Sequence, residues 1–209
     1  MAEQNVNSRL EAFCDGVFAI ALTLLIIDVK IPSTASINST ADFWLALGRL
    51  APSIFAFLLS FVVILITWVN HHATLELVNK SSAAFIYANG LFLLPVVFIP
   101  FPTSLLGEYI FTDHAAPAVV FYDFTLAVQA VGWILLTRAA FRGQLFRNER
   151  TASIMRENSK FGYFAFAVYS LCAIIAFWFP LIIAIITTLI WIFWLIWGIS
   201  VKREQEIAS

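Results

Sequence analysis

The residues Arg9-Leu-Glu-Ala-Phe-Cys-Asp-Gly16 run directly into Val17-Phe-Ala-Ile-Ala-Leu-Thr-Leu-Leu-Ile-Ile27. A charged turn followed by a long apolar run is typical of a helix that enters a membrane. A helix from Ser8 to Ile31 would be about 36 Å long, enough to cross a hydrocarbon core of about 30 Å. A charge that faced lipid in such a core would cost about 2.5–3.5 kcal/mol. We therefore expect Arg9, Glu11 and Asp15 to face protein or water, with this helix inside an assembly.

Both ends of this predicted helix contain residues that typically mark a helix boundary. Ser8 and Glu11 have the spacing of a capping box, in which Ser8 accepts a backbone hydrogen bond and Glu11 reaches back. Pro32 cannot continue a helix, so we expect the helix to end at Ile31.

The helix has two different faces. Asp15 lies about 140° around the helix from Ile20 and needs a partner if it is buried. The predicted partners are near one end of the second apolar segment: Trp68 through its indole N–H, Asn70, His71 or His72. The other face is a stripe at helical spacing, flanked by Thr23: Arg9, Phe13, Gly16, Ile20, Leu24 and Ile27.

The block that opens the helix resembles a known signature. Arg9, Phe13, Asp15 and Gly16 match four of the five residues of the RxxxFSDG motif of the transmembrane protein 175 family of potassium channels, and Cys14 replaces the serine. The whole chain is similar to the prokaryotic form, which has one six-helix repeat per chain. Relatives carry a similar Trp and His run in the second helix, which braces the first.

Composition indicates an integral membrane protein of one domain. The chain has 209 residues, of which 61% are hydrophobic and 12% charged, against about 25% charged in soluble domains. No basic aromatic patch indicates nucleic-acid binding. Cys14 and Cys172 both fall in apolar helical stretches, and we expect packed thiols and no disulfide between them.

Six apolar segments predict an all-α protein with six transmembrane helices. Pro95 predicts a kink in the third segment, and Pro100 and Pro102 its end. The segment around Phe43 and Trp44 is expected to lie at the membrane interface. The predicted helices are about 8–31, 51–79, 82–105, 116–138, 160–179 and 181–201.

Charge predicts the orientation. An even number of helices puts both termini on one side, and that side then carries ten basic residues while the other carries Lys30 and Arg49. By the positive-inside rule both termini are cytoplasmic, in a bacterial-type inner membrane. The stretch 139–159 is expected to be a solvated linker. The ten are Arg9, Lys80, Arg138, Arg142, Arg147, Arg150, Arg156, Lys160, Lys202 and Arg203.

The two adjacent histidines, His71 and His72, leave three interpretations open. They are a metal site, a proton relay, or part of a structural polar layer around Asp15. Neighbouring residues on a helix point about 100° apart, which disfavours a metal site, and the family resemblance favours the polar layer.

The resemblance also implies a pore. From periodicity alone, Ile20, Leu24 and Ile27 would be core or lipid contacts. In relatives the first helices of four subunits line the pore and bulky apolar residues constrict it. Offset from the motif places Ile20 at the constriction, Leu24 and Ile27 further out, and Thr23 near the pore. No Thr-Val-Gly-Tyr-Gly run is present, so a filter of backbone carbonyls is not expected.

Three acidic or amide side chains remain. Asp28 either gathers cations at the outer mouth or pairs with Lys30 or Arg49. Asp123 and Gln129 lie inside an apolar segment and need internal partners.

The sequence thus predicts a homotetrameric, potassium-permeable cation channel in a lipid bilayer, with no cofactor and no bound metal. Two rival functions are a proton-coupled permease or secondary transporter that uses Asp15, His71 and Asp123, and an intramembrane enzyme. Motifs for catalysis are absent, including HExxH, CxxC and a glycine-rich phosphate loop.

Overall fold

The chain is helical along nearly its whole described length. The computed structural model describes residues 7–207, with the side chains of 7–196 except Asp28 and Ser36. Within that range the single β pairing is an isolated antiparallel bridge between Val78 and Phe146. The helices are α1 (Ser8–Leu24), α2 (Thr40–Gly48), α3 (Ala51–Glu76), α4 (Ala83–Phe98), α5 (Pro100–Tyr109), α6 (Ala115–Arg142), α7 (Glu149–Ile175) and α8 (Pro180–Ile207). The predicted all-α class is confirmed.

Four helical stretches are long and apolar enough to cross a membrane: Ser8–Ile27, Thr40–Glu76, Ala83–Tyr109 and Ala115–Arg142. In α8 the apolar part with described side chains, Pro180–Ile196, is shorter. The first half of α7 carries several charges. The number of six spans therefore stays a prediction for these last two helices.

The first helix begins at Ser8, as predicted, but its predicted capping box and its predicted end are wrong. Asn7, not Ser8, precedes the helix, and no side chain caps it. The Asn7 amide instead donates to the backbone carbonyl of Val78 at 3.2 Å, so a tertiary bond replaces the capping box. The α-helix stops at Leu24 and a 3₁₀ turn carries the chain to Asp28, before Pro32 is reached.

Of the predicted effects of the prolines in the third segment, the kink at Pro95 stays a prediction, and the end at Pro100 and Pro102 is wrong. Pro95 lies inside α4, which continues to Phe98, and the assigned break falls at Ile99. Pro100 then begins α5 at the first helical position, where its missing N–H is harmless. Because Ile99 keeps helical dihedral angles, α4 and α5 form one nearly continuous helical stretch that reaches Tyr109 instead of ending at 105.

The predicted linker 139–159 is mostly helix. α6 continues to Arg142, and α7 begins at Glu149, eleven residues before the predicted start at 160. A reciprocal capping box between Asn148 and Thr151 starts α7. Hydropathy detected only the apolar part of these helices, while the helices continue into their polar ends. α7 correspondingly ends at Ile175 and not at 179.

α6 lies at the centre of the packing. It contacts α4, α5, α7 and α8, whereas α1 packs on α3 and α4. α6 and α4 approach closely at Gly132, where an added Cβ would lie 2.7 Å from the Cα of Phe92. The peripheral position of α1 leaves one of its faces without a partner in the chain.

Candidate functional site

The inner face of α1 and of the 3₁₀ turn that follows it is a narrow apolar row. Cys14, Phe18, Ala21 and Leu25 are at most 1% exposed and follow the spacing i, i+4, i+7, i+11. Phe18 packs against the His71 ring of α3 and the Phe92 ring of α4, with ring centres 5.5 and 6.5 Å away. This row fixes the rotation of α1 about its own axis.

Asp15, at the side of this row, forms a hydrogen bond with one of its four predicted partners. The indole N–H of Trp68 donates to Asp15 Oδ1 at 2.8 Å. A hydrogen bond to a carboxylate is among the stronger kinds, and this one links α1 to α3. Asn70 is exposed and points elsewhere.

A second connection runs through three side chains on three helices. Asn89 of α4 donates from Nδ2 to Cys14 Sγ at 3.0 Å, and its Oδ1 lies 2.6 Å from His71 Nε2. All three side chains are buried, at most 1% exposed. Cys14 therefore acts as an acceptor here, in the place where the motif has a serine.

Asn89 was not predicted. The sequence nevertheless contains an indication of its role, since a lone amide inside an apolar helix needs a buried hydrogen-bond partner. The sequence did not show that this partner would be His71.

His72 has a different role from its neighbour. Its Nδ1 lies 3.1 Å from Glu11 Oε1 of α1, and its Nε2 lies 3.8 Å from Glu76 Oε1, one turn along α3. His71 instead stacks on Phe92, with ring centres 5.2 Å apart and planes 5° from parallel. The two histidines thus point to different surroundings, as their helical spacing predicts.

The opposite face of α1 is exposed. Ile20 is 59% exposed, and Leu24 and Ile27 are also exposed. Thr23 is exposed too, and its hydroxyl donates to the Ile20 carbonyl on the same helix at 2.9 Å. Further exposed on this side are Arg9, Phe13 and Gly16.

Gly16 has open space around it. A Cβ added there would meet nothing within 4 Å. The packing within one chain therefore does not require glycine at this motif position. The side chain of Asp28 lies outside the described part of the structure.

The two polar residues inside α6 have partners. Asp123 Oδ1 accepts from the Thr187 hydroxyl of α8 at 2.8 Å, and Gln129 Nε2 donates to Thr67 Oγ1 of α3 at 2.9 Å. The second oxygen of Asp123 has no hydrogen-bond partner among the described residues.

The two cysteines form no disulfide, and potential metal ligands are dispersed among the described residues. Cys14 and Cys172 are both free and buried. No three His, Cys, Asp or Glu side chains of the described residues gather as a metal site would require.

Comparison with known proteins gives consistent matches. A sequence profile of the family described as endosomal/lysosomal potassium channel TMEM175 matches residues 9–100. A potassium channel of Chamaesiphon minutus is 48% identical over 120 residues, which are 57% of this chain but only 59% of that protein. A potassium channel of a Chryseobacterium species is 30% identical over 192 residues, 91% of this chain and 93% of that protein.

A solved structure matches as well. The crystal structure of a lysosomal potassium-selective channel TMEM175 homolog from Chamaesiphon minutus superposes with a TM-score of 0.80 at 33% identity, over 92% of this chain and 98% of that chain.

Fold and site together define an all-helical membrane protein whose first helix is anchored on one face and bare on the other. This chain belongs to the TMEM175 family. The resemblance drawn from the motif Arg9-x-x-x-Phe13-Cys14-Asp15-Gly16 is thereby confirmed.

Proposed function

We propose that this protein is a potassium-permeable cation channel formed by four copies of the chain, with α1 of each copy lining a central pore. Both termini face the cytoplasm, and the cargo is K⁺ and other monovalent cations. The channel requires no cofactor, no metal and no catalytic residue.

The exposure of Ile20 carries this proposal. Ile20 is 59% exposed, although a row on the other side of the same helix is fully buried. The bonds from Trp68 to Asp15 and from Asn89 to Cys14 hold α1 in this rotation. A bare apolar face on a rigidly anchored helix suits contact with symmetry-related copies around an axis. Relatives named as potassium channels support the same function.

A ring of four Ile20 side chains would form a hydrophobic constriction. It offers no oxygen to an ion, so an ion passes only after losing part of its hydration shell. Potassium loses its shell at lower cost than sodium, so the ring favours potassium, less sharply than carbonyl cages do. Leu24, Ile27 and Thr23 would line the wider pore beyond it, and Asp28 would stand at the outer mouth.

The test is ion flux through the purified full chain in a planar bilayer. We expect current without any coupled ion, a reversal potential that follows the potassium gradient, and a tetramer by native mass spectrometry. A stable folded monomer or dimer, or a folded tetramer that passes no current, would contradict the proposal.

The second candidate is a proton-coupled transporter. Its support is the buried second oxygen of Asp123, which has no partner among the described residues. A transporter would move potassium only together with protons. Flux that stops when the pH gradient is removed would favour it over the channel.

A further inference from the structure

An exposed apolar stripe on α6 ends at two arginines. Val128, Val131 and Leu135 are exposed, and Arg138 and Arg142 continue the same side of the helix to its end. At about 100° per residue, these five side chains fall within about 80° of arc. Surface suited to a hydrocarbon chain therefore leads directly into positive charge.

Arg138 is held in place by the neighbouring helix. Its Nε donates to the Tyr163 hydroxyl of α7 at 2.9 Å, and its guanidinium carbon lies 5.5 Å from the centre of that ring. This leaves the two terminal nitrogens, the pair that binds phosphate with two parallel hydrogen bonds. In the described part of the chain, no acid pairs with Arg138 or Arg142.

The surroundings add positive charge. The guanidinium of Arg156 lies 5.8 Å from the centre of the Phe141 ring, on the same α6–α7 hairpin. The nearby acid Glu157 is already paired with Lys160 at 2.7 Å. Among the described residues, Arg138, Arg142 and Arg156 therefore form no ion pair, while the other acid at this end of the hairpin, Glu149, lies in the first turn of α7.

We propose that the end of the α6–α7 hairpin binds an anionic phospholipid, with the headgroup phosphate on Arg138 and an acyl chain along Val131 and Leu135. Free phosphate would match the guanidinium but would gain nothing from the apolar stripe. A phosphatidylcholine would bring its cationic choline towards Arg142 and Arg156. Both features favour a headgroup with net negative charge.

The experiment is native mass spectrometry of the full chain after exchange into micelles containing phosphatidylglycerol or phosphatidylcholine with identical acyl chains. We expect phosphatidylglycerol to be retained preferentially. Arg138→Gln should lower its retention about five-fold, the ratio expected for one arginine near an anionic surface. Arg138→Lys keeps the charge but loses the planar guanidinium that can bind phosphate through two parallel hydrogen bonds. Its lipid retention should lie between those of the wild type and Arg138→Gln.

Three controls separate a site from a general charge effect. Arg147→Gln removes the same charge from the turn outside the stripe and should retain lipid like the wild type. Leu135→Asn changes no charge and should lower retention. Inorganic phosphate should not displace the lipid.

Several outcomes overturn the proposal. Equal retention of the two lipids would do so, as would equal effects of Arg138→Gln and Arg147→Gln. Displacement by phosphate would indicate a phosphate site. A folded assembly with no retained lipid would indicate that a second copy covers the stripe.

Discussion

The indole N–H of Trp68 donates to the carboxylate of Asp15 across 2.8 Å, between residues 53 positions apart in the chain. The bond fastens one side of α1 to α3. Ile20 lies about 140° around the same helix from Asp15, and its side chain therefore points away from Asp15 and from α3. The orientation of α1 about its own axis thus determines both that Asp15 is bonded to α3 and that Ile20 is exposed.

The first prediction concerns this bond. Trp68→Phe keeps an aromatic ring but leaves the carboxylate of Asp15 without its donor. We expect a loss of about 1–2 kcal/mol in the stability of the assembly, near the upper end for bonds between membrane helices. The measurement is the temperature at which the oligomer dissociates in detergent. Adding Asp15→Asn to Trp68→Phe should cost little more, since the pair is already broken.

The second prediction separates bracing from ion contact. Asp15→Ala should lower the yield of assembled protein or abolish current, because α1 loses its fixed rotation. It should not simply change the preference for potassium over sodium. A well-folded Asp15→Ala assembly with normal current and altered reversal potential would place the carboxylate in the pore.

The third prediction tests the pore face. Ile20→Asn would put four amides on the axis, where each can replace water around an ion and keep the constriction wet. Current should rise several-fold and the preference for potassium over sodium should fall. Leu24→Asn should act in the same direction but more weakly. The readout is the reversal potential in opposed potassium and sodium gradients, beside the wild type.

A matched control exists in α8. Ile185 is 60% exposed, against 59% for Ile20, and it belongs to a helix outside the proposed pore lining. Ile185→Asn makes the same chemical change and should leave current and selectivity unaltered. If Ile20→Asn also had no effect in a folded tetramer, the stripe on α1 would face lipid or packed protein, and the pore assignment would be wrong.

The fourth prediction concerns Asn89. Asn89→Ala breaks both of its hydrogen bonds and leaves His71 Nε2 buried without a partner. We expect a cost of about 1–3 kcal/mol in unfolding free energy. Cys14→Ala should cost less, because sulfur is only a weak acceptor. Thermal unfolding of both variants shows which one loses more stability. A larger loss for Cys14→Ala than for Asn89→Ala would contradict the proposed role of Asn89.

The fifth prediction concerns helix packing. At Gly132 an added Cβ would lie 2.7 Å from the Phe92 Cα, which is backbone and cannot move aside easily. Gly132→Ala should therefore destabilise the protein by about 1–3 kcal/mol. Gly90→Ala is the control, since a Cβ there meets nothing within 4 Å. It should be neutral or slightly stabilising, because alanine favours helix. Thermal unfolding of the pair measures the difference.

The extent of each helix was predicted well only where the sequence is apolar. α7 illustrates this, since its first eleven residues are mostly charged or polar yet helical. The structure stabilises them by the Asn148–Thr151 capping box and by packing against α6, neither of which hydropathy can detect. The prolines of the third segment show a related point. Pro95 lies inside α4, and prolines are tolerated inside membrane helices because neighbouring groups can satisfy the freed backbone carbonyl.

The sequence by itself determined the class of protein, the family and the two-faced character of α1. Composition and periodicity suffice for the class and the two faces, because the cost of burying charge and the 3.6-residue repeat act locally along the chain. The family follows from the resemblance of Arg9-x-x-x-Phe13-Cys14-Asp15-Gly16 to the motif of known relatives. Only the tertiary structure decided that Trp68, and not Asn70, holds Asp15, and that Asn89 joins Cys14 to His71. Those choices depend on the mutual rotation and height of α1, α3 and α4. That geometry is set by the packing of apolar side chains between helices far apart in sequence, and no local pattern records it.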